Sequence, residues 1–192
     1  LDEWMVREFP SLPFERYCDD FVVHCFSETQ TRYVGRRIAE RLGECGLRLH
    51  PDKTRIVYCR QDGREDSHEH TSFTFLGYTF RGRSAQDANG KVFNGFLPAV
   101  SKDAMQKMNR VVHRWRLHNA TTLSLDELAA WINPVVSGWL NYCGRYYRTA
   151  MRPLLRRINA YLLRWARKKY KRLRAFKRAL AWWRTVVKRA PR

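Results

Sequence analysis

No run of about 18 apolar residues occurs in this chain, so nothing in it is long enough to cross a bilayer as a helix. It has no C-x-x-C spacing. Its five cysteines, Cys18, Cys25, Cys45, Cys59 and Cys143, are odd in number and scattered. That argues against a disulfide framework or a structural zinc site and suits reduced thiols in an intracellular protein. No secretory leader opens the chain. Leu1-Asp2-Glu3 begins like the interior of a protein, so the chain reads as a piece of something longer. The sharpest shortage is of acids. From Arg145 to Arg192 there are 18 Lys/Arg and no Asp or Glu.

What is present fits that imbalance. The 192 residues are 44% hydrophobic, enough for one domain or two small ones. The formal net charge is +19 and the pI about 10.4, which points to a polyanionic partner. Residues 1–100 hold 14 Lys/Arg against 15 Asp/Glu, whereas residues 101–192 hold 23 against 3. Like charges at helical spacing repel. So many cations without acids imply a counter-charge from outside, and RNA phosphate is the natural source. An anionic membrane surface is the weaker alternative, because no hydrophobic anchor stands out.

The first half is organised around Arg16-Tyr17-Cys18-Asp19-Asp20-Phe21-Val22-Val23. Its aromatic and β-branched residues predict two strands meeting at a tight turn, with the Asp pair at the tip. Hard oxygen ligands on a rigid hairpin suit a Mg²⁺-dependent phosphoryl-transfer site. The same dipeptide also suits an ordinary polar turn.

Further elements follow from local signals. Ser27 with Gln30 predicts a helix start, Val34, Ile38, Leu42 and Cys45 its buried side, and Gly46 its end. Arg32, Arg36, Arg37 and Arg41 form its solvated face. Arg55–Cys59 reads as a strand, Gln61–Ser72 as a polar loop, and Phe73–Phe80 as a strand bent at Gly77. Val92–Val100 reads as another strand, with Asn89-Gly90 as the hairpin signal. From Ser101 onward the pattern is helical. Ser101 caps a helix carrying Met105, Met108, Val112 and Trp115, and Ser124 with Glu127 forms a capping box. Pro134 is expected to kink or end that second helix. A long helical region then runs from about Met151 to Val187, with Leu154, Leu155, Ile158, Leu162, Trp165 and Tyr170 as a core-facing stripe. The expected class is α+β, an antiparallel hairpin sheet with one helix over residues 1–100, followed by an all-α region over residues 101–192.

The Tyr-X-Asp-Asp segment between apolar strands resembles the palm hairpin of reverse transcriptases. Gly46-Leu47-Arg48-Leu49-His50-Pro51-Asp52-Lys53-Thr54 and Phe75-Leu76-Gly77-Tyr78-Thr79-Phe80 follow in order. After them come Asn133-Pro134, Gly138-Trp139-Leu140-Asn141-Tyr142 and Trp165-Ala166-Arg167-Lys168-Lys169-Tyr170. As a set these resemble a group II intron reverse transcriptase/maturase over nearly the whole chain. The resemblance implies a partial palm followed by a thumb and maturase region that binds intron RNA.

It also implies Mg²⁺-dependent transfer of a dNTP to a DNA primer on an RNA template. Asp19 would be the principal metal ligand and Asp20 an auxiliary one. Tyr17 would support the nucleotide or primer end. Cys18 fills the variable position, where Ala is usual. Lys53 would lie near the nucleotide phosphates, and Phe75, Leu76 and Gly77 along the primer. Lys53 suits a surface turn equally, and Phe75 and Leu76 a plain strand. The cationic set for RNA is Arg145, Arg148, Arg152, Arg156, Arg157, Arg164, Arg167, Lys168, Lys169, Lys171 and Arg172. His24, His50, His68 and His70 lack metal-ligand spacing and read as packed or solvated.

The family needs another Asp upstream of the hairpin, with fingers and template-binding segments also upstream. The 192 residues themselves supply none of these, so as an isolated chain they are expected to lack polymerase activity. No Cys/His cluster of an appended DNA endonuclease follows, so target cleavage is not expected. Three readings stay open: the C-terminal part of a polymerase, an RNA-binding splicing maturase without polymerase activity, and a decayed fragment. The expected location is the cytoplasm, within a ribonucleoprotein.

Overall fold

A computed structural model describes residues 1–60 and 68–189. It opens with α1 (Asp2–Glu8), whose first turn carries Asp2 and Glu3 and whose last turn carries Arg7, both favourable to the helix dipole. Strands β1 (Phe14–Tyr17) and β2 (Asp20–Val23) pair antiparallel, Phe14 opposite Val23 and Tyr17 opposite Asp20. Helix α2 (Glu28–Glu44) follows. Phe14, Phe21 and Val23 pack with Trp4, Met5, Leu12, Val34 and Ile38 into a small core.

The local signals for α2 hold. The Ser27 hydroxyl accepts from Gln30 N–H, while the Gln30 side chain accepts from Phe26 N–H at 2.8 Å. At the other end Gly46 takes φ 70°. Leu47 N–H reaches Leu42 C=O at 2.8 Å and Gly46 N–H reaches Gly43 C=O at 3.0 Å, the paired bonds of a Schellman ending. Arg32, Arg37 and Arg41 pair with Glu28, Glu40 and Glu44 along the exposed side. That face is locally neutralised and solvated.

The expected strand at Arg55–Cys59 does not form. Tyr58 N–H bonds to His70 C=O at 2.8 Å, but no ladder develops there among the described residues. Alternation alone cannot make a strand without a partner edge. Most of the predicted polar loop, residues 61–67, lies outside the described residues. The next sheet is a meander of β3 (Ser72–Phe75), β4 (Tyr78–Gln86) and β5 (Val92–Val100). Gly77 is therefore not a bend in one strand. Leu76 at φ 48° and Gly77 at φ 79° form a two-residue hairpin turn, since positive φ at both positions matches the twist of the strands. Phe73 and Phe80, directly opposite across β3 and β4, stack at 4.8 Å.

Four longer helices follow: α3 (Lys102–Arg114), α4 (Leu125–Cys143), α5 (Arg152–Lys169) and α6 (Phe176–Arg189). Ser101 caps α3 through Ala104 N–H, and both halves of the Ser124–Glu127 capping box are made. Ser124→Ala is expected to cost about 1 kcal/mol of stability, read in a urea unfolding titration. An unchanged midpoint would count against the cap. Pro134 neither ends nor breaks α4, which runs on to Cys143. Leu128 and Ile132 before it and Val136, Trp139 and Leu140 after it all join the main core. Packing on both sides offsets the one backbone bond that proline forgoes. The predicted long helix from Met151 divides into α5 and α6 at Tyr170, whose backbone is extended. Ahead of α4 a 3₁₀ turn (Leu117–Asn119) buries Leu117 against α5.

The main core joins Met108, Val112, Leu117, Leu128, Met151, Leu154, Ile158, Leu162 and Trp165. The α+β portion followed by an all-α portion is the expected class. Among the described residues no helix is long and apolar enough to cross a membrane.

Candidate nucleic-acid interface and carboxylate hairpin

The β1–β2 register fixes how the hairpin presents its side chains. Tyr17 pairs with Asp20, so Cys18 and Asp19 form the turn. With a period of two, Glu15, Tyr17, Asp20 and Val22 share one face, and Phe14, Arg16, Phe21 and Val23 the other. The second face is the one buried on the small core. Tyr17, Asp19 and Asp20 stand exposed. Cys18 takes φ 53°, a left-handed conformation uncommon for a residue with a Cβ. Arg16 braces this turn, its Nη1 donating to the Cys18 carbonyl at 2.9 Å. Its Nε and Nη2 grip Asp2 of α1 at 2.6 and 2.7 Å. The Arg16 guanidinium holds the Asp2 carboxyl below the usual range, and Asp2 raises Arg16 in turn.

Asp19 and Asp20 are not engaged in ion pairs among the described residues. No group of three or more His, Cys, Asp or Glu that could hold a metal ion occurs among the described residues. Mg²⁺ is commonly held by one or two protein carboxylates, with water and substrate phosphate completing its shell. The two exposed, unpaired carboxylates fit such a partial donor set.

Beside the hairpin lies a cleft of about 530 Å³. Glu15, Val22 and His24 form one wall, Phe75 and Leu76 another, and Tyr142 and Arg145 the third. Of the residues expected along a primer, Phe75 and Leu76 line the same cleft as Glu15 and Val22 of the hairpin, whereas Tyr17, Asp19 and Asp20, further toward its tip, are not among the cleft-lining residues. Gly77 sits in the turn, its carbonyl accepting from Ser101 N–H at 2.8 Å. Lys53 is exposed in a turn closed by its N–H to His50 C=O at 3.2 Å, and it is not among the cleft-lining residues. His24 Nε2 lies 2.6 Å from Glu15 Oε2.

Sequence reasoning overlooked Tyr142 as a site residue, although it fell inside a quoted motif. The Tyr142 hydroxyl donates to Leu76 C=O at 2.8 Å, and the Tyr78 hydroxyl donates to the Tyr142 carbonyl. Burial, with a smaller contribution from neighbouring Cys143, pushes the Tyr78 phenol up.

The cations of the helical portion divide into two groups. Arg148, Arg152, Arg156, Arg157, Arg164, Lys171 and Arg172 are exposed and make up the first group. Others are committed to the fold. Lys169 reaches back so that its ammonium donates to Leu123 C=O at 2.7 Å, over the Trp165 ring. Arg167 Nε donates to Arg174 C=O at 2.9 Å, and Lys168 Nζ to Asn119 Oδ1 at 2.8 Å. All ion pairs among the described residues fall between Asp2 and His70, so the helical portion makes no ion pair of its own among them. Burial, reinforced by Lys168, Arg164, Arg116 and His113, depresses the His118 imidazole.

A second groove, about 610 Å³, runs between α3 and α5. Arg110, His113 and Arg114 face Arg157 across it, with Gln106 and Asn109 alongside. The α3 cations were missed in the sequence because the acid-free run that drew attention begins only at Arg145.

Two family models match this chain. Residues 2–80 match the reverse transcriptase (RNA-dependent DNA polymerase) model. Residues 105–183 match the model of the group II intron maturase-specific domain. No curated protein matches the chain.

Proposed function

Because this chain belongs to the group II intron reverse transcriptase/maturase family, we propose that it acts as a maturase, gripping structured intron RNA with its cationic helices to promote folding and splicing. The observation that supports this most is the absence of any acid partner for those cations among the described residues beyond His70. Helices with one sign of exposed charge recognise RNA by phosphates and shape more than by base edges. Arg148, Arg152, Arg156, Arg157 and Arg164 form the principal footprint, with Lys171 and Arg172 at its end. Arg167, Lys168 and Lys169 support it by holding the loops that frame α5.

RNA-directed DNA polymerase chemistry is the second reading. It is favoured by exposed Asp19 and Asp20 at the end of a hairpin whose Glu15 and Val22 line a cleft together with Phe75 and Leu76. Mg²⁺, when bound, would stabilise the attacking and leaving oxygens of nucleotidyl transfer. Asp19 and Asp20 would supply carboxylate oxygens to it, and Tyr17 would support the nucleotide or primer end from the same hairpin. A primer strand would pass along Phe75 and Leu76 with Arg145 offsetting its charge. Two carboxylates make an incomplete site, so this chemistry requires a further carboxylate.

The two roles separate experimentally. Asp19→Ala is expected to leave filter binding to a group II intron RNA unchanged. In a version of the protein that extends a DNA primer on an RNA template with Mg²⁺, the same substitution should reduce extension to background. Retained extension would remove Asp19 from the site. Loss of RNA affinity would show that the hairpin belongs to the RNA footprint.

A further inference from the structure

We infer that Arg16 is a positioning residue for the carboxylate turn, and that Asp2 keys it in place. The inference rests on the proposed reading of Asp19 and Asp20 as metal ligands. It starts from a conformational difficulty. The turn that carries Asp19 is built on Cys18 at φ 53°, where an L residue with a Cβ gains no intrinsic stability. A two-residue hairpin loop normally resolves this with Gly, Asn or Asp at the positive-φ position. Cysteine offers no such relief, so the conformation must be held from outside the turn.

The guanidinium of Arg16 is placed to do that. One of its terminal nitrogens donates to the Cys18 carbonyl at 2.9 Å, fixing the peptide that leads into Asp19. The other nitrogens grip both oxygens of Asp2. That fork-on-carboxylate geometry is one that lysine cannot reproduce. Asp2 lies on α1, whose Trp4 and Met5 are buried in the same small core as Phe14 and Phe21. The turn is therefore referenced to a packed helix through one side chain, in the way an outer-shell partner orients a metal ligand. Arg16 lies on the hairpin face opposite Tyr17 and Asp20, so it acts through the backbone and leaves the carboxylates open to solvent.

The test uses the full chain with Mn²⁺ alone as probe, its binding followed by electron paramagnetic resonance and the fold by thermal melting. Asp19→Ala reports the ligand reading itself. Arg16→Lys keeps the charge but loses the fork. The exchange Asp2→Arg with Arg16→Asp restores an ion pair between α1 and β1 but leaves no donor at position 16 for the Cys18 carbonyl. Asp19→Ala, Arg16→Lys and the exchange should each weaken Mn²⁺ binding, the last two by about tenfold as for loss of an outer-shell partner. The exchanged protein should melt near the parent temperature. If Asp19→Ala weakens Mn²⁺ binding while Arg16→Lys and the exchange leave it intact, Arg16 has no positioning role and the ligand reading survives. Mn²⁺ binding unaffected by Asp19→Ala overturns the ligand reading and this inference with it.

Discussion

Reversing Arg148, Arg152, Arg156 and Arg157 to glutamate should weaken binding to a group II intron RNA and flatten its salt dependence. All four are exposed on or just before α5. If each neutralises one phosphate, losing four contacts removes roughly 3 to 4 from the log–log salt slope, worth on the order of a hundredfold in affinity over a fourfold change in salt. The measurement is a filter-binding titration at several salt concentrations. The choice of residues matters. Reversing Arg167, Lys168 or Lys169 would also break bonds to Arg174 C=O, Asn119 Oδ1 and Leu123 C=O. A loss of affinity there would mix disrupted structure with lost phosphate contacts. An unchanged slope in the fourfold variant would mean that the RNA surface lies elsewhere, with the α3–α5 groove next to examine.

Trp165→Ala should have the largest effect on stability. Trp165 is fully buried, its Nε1 donates to Ala120 C=O at 2.9 Å, and its ring meets Tyr170 edge-on at 5.9 Å. Truncation removes a large apolar surface and leaves a cavity, a change that costs about 3–5 kcal/mol in other cores. It also strips the Ala120 carbonyl of its donor. In a protein of this size the melting temperature should fall by on the order of 10 °C. Trp165→Phe retains most of the ring but not the donor and should fall between the two. A parent-like melt for Trp165→Ala would contradict the central place given to α5.

Features fixed within a few residues could be read from the sequence, and those fixed by distant packing could not. Ser27, Ser101 and Ser124 mark helix starts because a hydroxyl satisfies an N–H only two or three residues on. Gly46 marks an end because its backbone alone tolerates the closing conformation cheaply. The hairpin was legible because apolar strands flank it, but its turn falls on Cys18 and Asp19, and Asp20 opens β2 instead of sharing the tip. Pro134 misled because its local penalty is outweighed by core contacts on either side. Arg55–Cys59 misled because alternation does not by itself make a strand, and no ladder forms there among the described residues. Leu76-Gly77 was read as a bend, since a leucine at positive φ gives no compositional sign of a turn. At the candidate site, residue identities were readable but their company was not. That Phe75 and Leu76 share a cleft with Glu15 and Tyr142 depends on the approach of segments about sixty positions or more apart.

The paired Tyr78 and Tyr142 hydroxyl contacts bear on how the polypeptide can be dissected. A cut at the obvious composition change, between Val100 and Ser101, would sever the Ser101–Gly77 tether and strand both phenols without their acceptors. A truncated helical piece meant for RNA work would keep its native seam only if it began ahead of Ser72 and carried the three-stranded meander with it.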